Sequence, residues 1–271
     1  MTDSNWIIPD WPAPANVRAA VTTRLLPGNS RPPFDAFNLG VGSGEDAGVV
    51  AANRAALQRT LGLPSAPRWL HQVHGTTVAQ MHETRPVCDE REPAADAAIA
   101  HAGDIVLAVL TADCLPVLIC AEDGSEIAAI HAGWRGLAAG VIEATLDRLN
   151  TPREHLLAWL GPAIAATSYE VGEEVRAAFV HAPVMRPGAE NHSSGAVVSD
   201  PAAAFEPVRP GHWQCNLELL ARQRLAAHRV TRIHGGGFDT VTDRRFYSHR
   251  RDGRTGRFAS LIWRTTSRSG N

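Results

Sequence analysis

Two histidines lie three residues apart in the stretch WLHQVHGTT, at positions 71 and 74. Histidine is the commonest metal ligand, and its pKa lies closest to neutral pH. Because residues three apart on an extended strand point to opposite faces, only one of the two rings can enter a shared site. The spacing does not decide which ring enters, and any further ligands must come from elsewhere in the chain.

Those further ligands are suggested by a hairpin within residues 111–136, TADCLPVLICAEDGSEIAAIHAGWRG. Asp123-Gly124 between two apolar runs predicts a two-residue turn in which both residues have positive φ. Strands centred on that turn place Cys114 on the same face as His131. The two residues are then diagonal neighbours, with Cβ atoms about 7 Å apart.

A thiolate and an imidazole at this separation suit one zinc or copper ion, both of which accept soft ligands. One histidine from residues 69–77 would complete a His–Cys–His set. Three protein ligands leave one position open, as in catalytic rather than structural zinc sites. The structural alternative also stays open, with Cys114 an ordinary buried cysteine and His131 a hydrogen-bonded core histidine.

The elements that must position these residues follow from the periodicity of the apolar side chains. Four segments have helical periodicity, namely 46–62, 138–149, 170–181 and 217–228. Buried strands are predicted over 104–121 and 126–133, an extended segment over 69–81, and a long loop over 183–212. The mixture of strands and helices without a linker predicts a single α/β (α+β) domain over residues 1–271.

Composition excludes several classes of function. The net charge of −2 over 271 residues gives no basic surface for nucleic acid. The N-terminus is not typical of a signal peptide, and the longest apolar run contains Asp113 and Pro116, so no membrane span is predicted. Four scattered cysteines favour a cytoplasmic protein. All 26 basic residues are arginine, which excludes a Schiff-base lysine and a P-loop.

Several motifs recur in the order typical of one known family. They are FNLGVGSGED, NRAALQRTLG, WLHQVHG, TADCLPVLI, AAIHAGWRGLAAGVIE, WLGPAI, YEVGEEV and FYSHRRDGRTGRFA. Over nearly its whole length the chain resembles the polyphenol-oxidase (laccase) domain family. Members of that family are regarded as zinc-dependent purine nucleoside phosphorylases and are also called peptidoglycan editing factors. The resemblance implies a single-domain four-layered α/β/β/α sandwich with mixed sheets.

The resemblance also implies residue roles and an activity. The zinc ligands and catalytic residues would be the His of QVHG, the Cys of TADC and the His of HAGWRG, which are His74, Cys114 and His131. His71 would be a neighbour only. Family members phosphorolyse adenosine, inosine and methylthioadenosine, and deaminate adenosine through a zinc-bound water. Nucleoside and phosphate are therefore the expected small-molecule partners.

Phosphate must be bound by arginine in a chain that has no lysine, because arginine holds phosphate oxygens bidentately. Arg135 in HAGWRG and Arg250 in SHRRDG are the predicted residues, although such arginines commonly form surface ion pairs instead. Asn38 and Gln72 are predicted to hydrogen-bond the substrate. Asn38 could equally stabilise a turn.

Three rival functions remain at this stage. One is a peptidoglycan editing amidase that removes L-serine from UDP-MurNAc-L-serine, a nucleotide-sugar peptide precursor. Another is a copper-dependent polyphenol oxidase, since copper(II) outranks zinc in affinity. None of the 12 histidines forms the His-x-His pairs of multicopper oxidases. A non-catalytic metal-binding protein would need a fourth protein ligand.

Overall fold

The computed structural model describes residues 5–82, 92–180 and 200–265. The helices in these ranges are α1 (Ala47–Thr60), α2 (Trp134–Ala139), α3 (Val141–Leu146), α4 (Glu173–Val180), α5 (Leu217–Ala227) and α6 (His249–Asp252). The strands are β1 (Trp6–Ile7), β2 (Val17–Thr22), β3 (Val78–Gln80), β4 (Ala97–Ala100), β5 (Val106–Thr111), β6 (Leu115–Ala121), β7 (Ile127–Ala132), β8 (Leu156–Leu160), β9 (Glu170–Gly172), β10 (Phe205–Arg209), β11 (His212–Cys215), β12 (Arg232–Gly235) and β13 (Phe258–Arg264). Among the helices of these three ranges, none combines the length and the hydropathy that a membrane span requires.

The strands form two large sheets and one small sheet. The four-stranded sheet has the order β1-β2-β13-β5 and is antiparallel. The six-stranded sheet has the order β12-β8-β6-β7-β4-β3, with parallel pairs at both edges and antiparallel pairs between them. The small sheet has the order β10-β11-β9. The mixed sheets expected from the sequence are therefore confirmed.

The layers of the fold can be read from β5, where successive side chains point to opposite faces of a sheet that is buried on both sides. In β5, Val106 and Ala108 pack with Leu57 of α1, whereas Leu107 and Val109 pack against the six-stranded sheet. The opposite face of the six-stranded sheet is covered by apolar residues of α2, α3 and α5. The order is helix, sheet, sheet, helices, which confirms the four-layered α/β/β/α sandwich.

The apolar stretch 104–121 contains two strands that belong to different sheets. β5 lies in the four-stranded sheet and β6 in the six-stranded sheet, so residues 112–114 cross from one sheet to the other. The crossing requires a sharp bend, and Asp113 has a φ of 100°. Cys114 therefore lies at the end of the interface between the two sheets.

The hairpin has the predicted register but a different turn. Pro116 lies opposite His131 in the β6–β7 pair, as strands centred on residues 123–124 require. Gly124 alone has positive φ, and the flanking pair is Ala121 with Glu126, so the loop has four residues instead of two. The longer loop has the same centre, which is why the register is unchanged.

Two of the predicted helices are confirmed and are capped by side chains. Asp46 accepts from the N–H of Val49 at the start of α1, and Asn216 accepts from the N–H of Leu219 at the start of α5. Such caps satisfy backbone donors that the first helical turn leaves free.

The other two helical predictions were partly wrong. The helix predicted over 138–149 is two helices, α2 and α3, because Gly140 has a φ of 99° between them. The segment 170–181 begins as strand β9, and α4 starts only at Glu173; residue 181 lies outside the described residues. In the predicted loop 183–212, residues 183–199 lie outside them as well, and 205–215 form the β10–β11 hairpin.

A candidate metal centre between the two sheets

Three potential ligands from three chain segments meet where the two large sheets diverge. His131 is near the end of β7 and is only 3% exposed, while Cys114 immediately precedes β6. His74 comes from the loop before β3. One ligand atom from each residue lies within 4.8 Å of the other two. In the described part of the chain, these residues are the only group of three or more His, Cys, Asp or Glu so arranged.

The loop that carries His74 is a bend and not the extended segment predicted over 69–81. His74 has a φ of 60°, which is uncommon for a residue other than glycine. His71 forms an isolated bridge with Ala94 and lies outside the group of three ligands. Of the two histidines, only His74 belongs to the group of potential ligands, and it is a bend, not strand alternation, that separates it from His71.

The buried carboxylate of Asp96 organises the centre. Its oxygens accept backbone N–H groups from Val73 (3.2 Å), His74 (2.9 Å) and Gly75 (2.7 Å). The same carboxylate accepts Nδ1–H of His131 at 2.8 Å. Burial would raise the pKa of Asp96, but these hydrogen bonds hold it below its ordinary value. With Nδ1 occupied, Nε2 of His131 is the atom available to a metal, an arrangement typical of zinc-binding histidines.

The glycines of HAGWRG are required by close approach to the His74 loop. A Cβ on Gly133 would lie 2.8 Å from Cδ2 of His74 and 3.0 Å from Sγ of Cys114. A Cβ on Gly136 would lie 2.8 Å from the carbonyl oxygen of Gly75. A side chain at either position would therefore displace the His74 loop or the ligands, so both glycines provide space for them.

Cys114 and His131 form a charged pair in the metal-free protein. Burial would raise the pKa of the thiol, yet the adjacent His131 and His74 lower it to about 6. Burial would likewise lower the pKa of His131, but Cys114 and Asp96 raise it to about 9. A thiolate, the form that binds metal, is therefore present at neutral pH.

The donor set fits a zinc or copper ion. Sγ of Cys114 and Nε2 of His74 are 3.8 Å apart, close to the separation of about 3.5 Å that zinc–sulfur and zinc–nitrogen bonds impose in a tetrahedron. His74 is exposed and can move the remaining distance. Three protein ligands leave a fourth position for water or substrate.

Tyr169 and two predicted arginines lie around the centre. The guanidinium of Arg250 lies 5.1 Å from the centre of the Tyr169 ring. Burial raises the pKa of Tyr169, and its hydroxyl interacts electrostatically with Cys114, Arg250 and Arg135. Arg135 is exposed, packs on Trp134 and has no carboxylate partner among the described residues. Tyr169 is therefore close enough to interact with both arginines and with Cys114.

Asp113 connects this region to the neighbouring loops. Its carboxylate accepts the hydroxyl of Thr240 (2.6 Å) and the N–H of Arg250 (2.6 Å), and its carbonyl oxygen accepts the N–H of Ile164 (2.9 Å). The residue beside Cys114 thus fixes the start of α6, the helix that carries Arg250.

Asn38 and Gln72, the two predicted substrate-binding amides, have protein partners at both ends. The Asn38 amide donates to Ser43 and Glu45, and its oxygen accepts N–H groups of Gly40 and Arg257. Gln72 exchanges two hydrogen bonds with the backbone of Leu110. Both contacts are structural, and a contact of either amide with substrate stays a prediction.

The matching motifs and the geometry agree with the chain's similarity to known proteins. A family model described as multi-copper polyphenol oxidoreductase laccase matches residues 18–265. A Pseudomonas aeruginosa protein named purine nucleoside phosphorylase is 48% identical over 260 residues, which cover 95% of this chain and 98% of that protein. The Escherichia coli purine nucleoside phosphorylase YfiH is 44% identical over 262 residues, which cover 96% of this chain and 99% of that protein.

Solved structures share the fold over the same length. A crystal structure of a Neisseria meningitidis protein superposes with a TM-score of 0.85 at 40% identity, covering 97% of this chain and all of that one. The crystal structure of YlmD from Geobacillus stearothermophilus gives a TM-score of 0.84 at 26% identity, with 98% of each chain covered.

Proposed function

The chain belongs to the multi-copper polyphenol oxidoreductase laccase family, and we propose that it is a zinc-dependent purine nucleoside phosphorylase. The observation that carries the proposal is the His74–Cys114–His131 cluster in a chain so similar to proteins named purine nucleoside phosphorylase. Small-molecule nucleoside and phosphate are accordingly its substrates. Adenosine, inosine and methylthioadenosine are the proposed nucleosides.

The proposed metal is zinc, held by His74, Cys114 and Nε2 of His131. One thiolate and two imidazoles suit zinc, and three protein ligands suit a catalytic rather than a structural site. When bound, zinc supplies a Lewis acid and lowers the pKa of a coordinated water. Asp96 keeps His131 in the tautomer that presents Nε2.

In phosphorolysis, a phosphate oxygen forms a bond to C1′ of the ribose while the C1′–N9 bond breaks. The bonding electron pair leaves with the purine, which takes up a proton, and ribose 1-phosphate is released. The protein must therefore hold an anion near the ribose and stabilise charge on the departing base. Preorganised charges and hydrogen-bond donors are the usual means of such stabilisation.

Arg135, Arg250 and Tyr169 are the residues proposed for these two tasks. Arg135 and Arg250 supply positive charge near Tyr169, and a phosphate dianion needs such charge. The hydroxyl of Tyr169 makes no hydrogen bond with the described residues. Burial raises its pKa, which keeps it protonated at neutral pH. It is a suitable donor to a purine nitrogen or a ribose oxygen.

Adenosine deamination is proposed as a second activity of the same centre. Water adds to C6 of the adenine, ammonia leaves, and inosine is formed. The reaction needs no phosphate, so it can be separated from phosphorolysis by omitting phosphate from the assay.

Phenol oxidation is less well supported despite the family's name. The cluster supplies ligands for one ion, and the sequence has no His-x-His pair for a multicopper cluster. Copper could occupy the cluster without making the protein a multicopper oxidase.

The deciding experiment compares inosine, with and without phosphate, and UDP-MurNAc-L-serine as substrates of the purified protein. We expect about one zinc per chain, as three-ligand catalytic sites bind, and release of hypoxanthine only when phosphate is present. Release of L-serine from the nucleotide sugar without phosphorolysis of inosine would instead establish the amidase. The variant Cys114→Ala should abolish whichever activity is observed.

A further inference from the structure

Arg257 lies next to the metal centre, although it is distant from Cys114 in the sequence. In the β13–β5 pair, Phe258 lies opposite Thr111, so the residue before β13 runs alongside the crossing that carries Cys114. The stem of Arg257 packs on Gly40, where a Cβ would meet its Cγ at 2.6 Å. The backbone places this arginine beside the TADC motif.

Only one end of the Arg257 guanidinium is occupied by the protein. Nη1 donates to the carbonyl oxygens of Thr255 and Gly256, both at 2.9 Å. Nε and Nη2 have no acceptor among residues 5–82, 92–180 and 200–265, and they are not buried atoms. Nε and Nη2 form the edge of the guanidinium that can hold two oxygens of one phosphate.

No carboxylate forms an ion pair with Arg257 in the described part of the chain, although the residue is largely buried. Burial lowers its pKa, and the negative charges of Cys114 and Asp113 oppose that effect. The oxygens of Asp113 already accept hydrogen bonds from Thr240 and Arg250. A partly buried cation is usually paired, so this arginine is suited to an anion that the protein does not itself provide.

Asn38 fixes the position of this arginine. Its side-chain oxygen accepts the N–H of Arg257 at 2.8 Å, and its amide donates to Glu45 at 2.8 Å. In addition, the N–H of Leu39 donates to the carbonyl of Arg257 at 3.1 Å. The backbone of Arg257 is therefore held by a buried network, and its Nη1 is held by the carbonyl oxygens of Thr255 and Gly256. This order lowers the entropic cost of binding an anion.

We propose that Arg257 is the principal binding residue for the phosphate co-substrate, held in place by Asn38. This inference rests on the proposed phosphorylase function. Arg135 and Arg250 are more exposed and assist by their charge alone. Phosphoryl oxygens could come from inorganic phosphate or from the diphosphate of a nucleotide sugar, and the proposal commits to inorganic phosphate.

The test measures binding of inorganic phosphate to the zinc-loaded protein by calorimetry, together with the KM values for phosphate and inosine. The variants are Arg257→Gln and Arg257→Lys. Arg254→Gln is the matched control, because Arg254 lies in the same segment and its Nη2 donates to Gly44. Zinc content and circular dichroism are recorded for each variant, and uridine diphosphate serves as a second ligand.

Arg257→Gln should weaken phosphate binding and raise the KM for phosphate by about 10- to 100-fold, the range for losing hydrogen bonds to a charged group. The KM for inosine, the zinc content and phosphate-free deamination of adenosine should change little. The phosphate affinity of Arg257→Lys should lie between those of the unaltered protein and Arg257→Gln, since lysine is a point charge and cannot bind two oxygens bidentately. The Arg254→Gln control should bind phosphate like the unaltered protein.

Unchanged phosphate binding in both Arg257 variants would overturn the inference, as would Arg257-dependent binding of uridine diphosphate but not of phosphate. If Arg257→Gln fails to fold, Arg257→Lys still decides the matter. Absence of phosphorolysis in the unaltered protein would refute the proposed function. In that event, the calorimetric comparison would still report whether Arg257 binds phosphate.

Discussion

Oδ1 of Asp96 accepts a hydrogen bond of 2.8 Å from Nδ1 of His131. The same carboxylate holds the backbone of residues 73–75, the loop that carries His74. One buried side chain therefore orients one proposed ligand and fixes the position of a second. Such outer partners fix the orientation of the ligands and raise their affinity for the metal.

Asp96→Asn should reduce zinc affinity about 10- to 100-fold, because an amide orients the imidazole less well than a carboxylate. The measurement is a zinc titration against a competing chelator. Glu126→Gln is the matched control, since Glu126 is a buried carboxylate that contacts His101 and accepts N–H groups of Asn150 and Thr151. Equal losses of affinity in the two variants would show that burial of charge, and not orientation of His131, is responsible.

His74→Ala should remove most of the bound zinc and lower phosphorolysis by more than about 100-fold, since a lost ligand costs more than a lost outer partner. His71→Ala should have little effect, because His71 is exposed and not among the clustered ligands. Metal analysis and steady-state rates on both variants check the prediction. A larger effect at position 71 would contradict the assignment.

The sequence was sufficient to predict the relation of Cys114 to His131, because the centre of a hairpin determines which residues share a face. It could not predict the conformation of His74, since positive φ at a residue other than glycine depends on tertiary contacts. The role of Asp96 was missed because it too depends on tertiary contacts. Its partners are 21 to 35 residues away along the chain, and no local motif marks it.

Arg257 and Tyr169 were missed although both lie in motifs that the sequence analysis singled out. Arginine was sought next to HAGWRG and in SHRRDG, where spacing along the chain suggested it. The position of Arg257 beside Cys114 follows from the pairing of β13 with β5, strands separated by more than a hundred residues. Periodicity within a segment carries no information about such pairings.

Cys114 of the metal-free protein should react with iodoacetamide at neutral pH. Its pKa is lowered to about 6, so the rate should rise as the pH passes through 6 instead of through the ordinary thiol range near 9. Cys120 and Cys215 are internal controls, since burial raises the pKa of each to about 12. Mass spectrometry of the labelled peptides as a function of pH measures the effect, and added zinc should suppress labelling.

The pH dependence of the free energy of unfolding is a weaker test of the interaction between Cys114 and His131 in the metal-free protein. The lowered pKa of Cys114 stabilises the fold increasingly as the pH rises from about 6 to 9. The raised pKa of His131 stabilises it below the ordinary histidine range, and this contribution is lost as the pH rises to about 9. Since the two trends oppose each other, we expect reactivity to depend on pH more strongly than the free energy of unfolding does.

Gly133→Ala tests the space between the ligands without altering any ligand. The φ of Gly133 is −66° and its ψ is 156°, a conformation that alanine adopts freely, so backbone strain should not contribute. The added Cβ would lie 2.8 Å from Cδ2 of His74, whose exposed ring can swing away. We therefore expect zinc content and phosphorolysis to fall sharply while the circular dichroism spectrum and the thermal midpoint change little. Gly42→Ala is the control, because a Cβ there meets nothing within 4 Å; full zinc occupancy in Gly133→Ala would show that His74 is not a ligand or that the cluster tolerates a wider spacing.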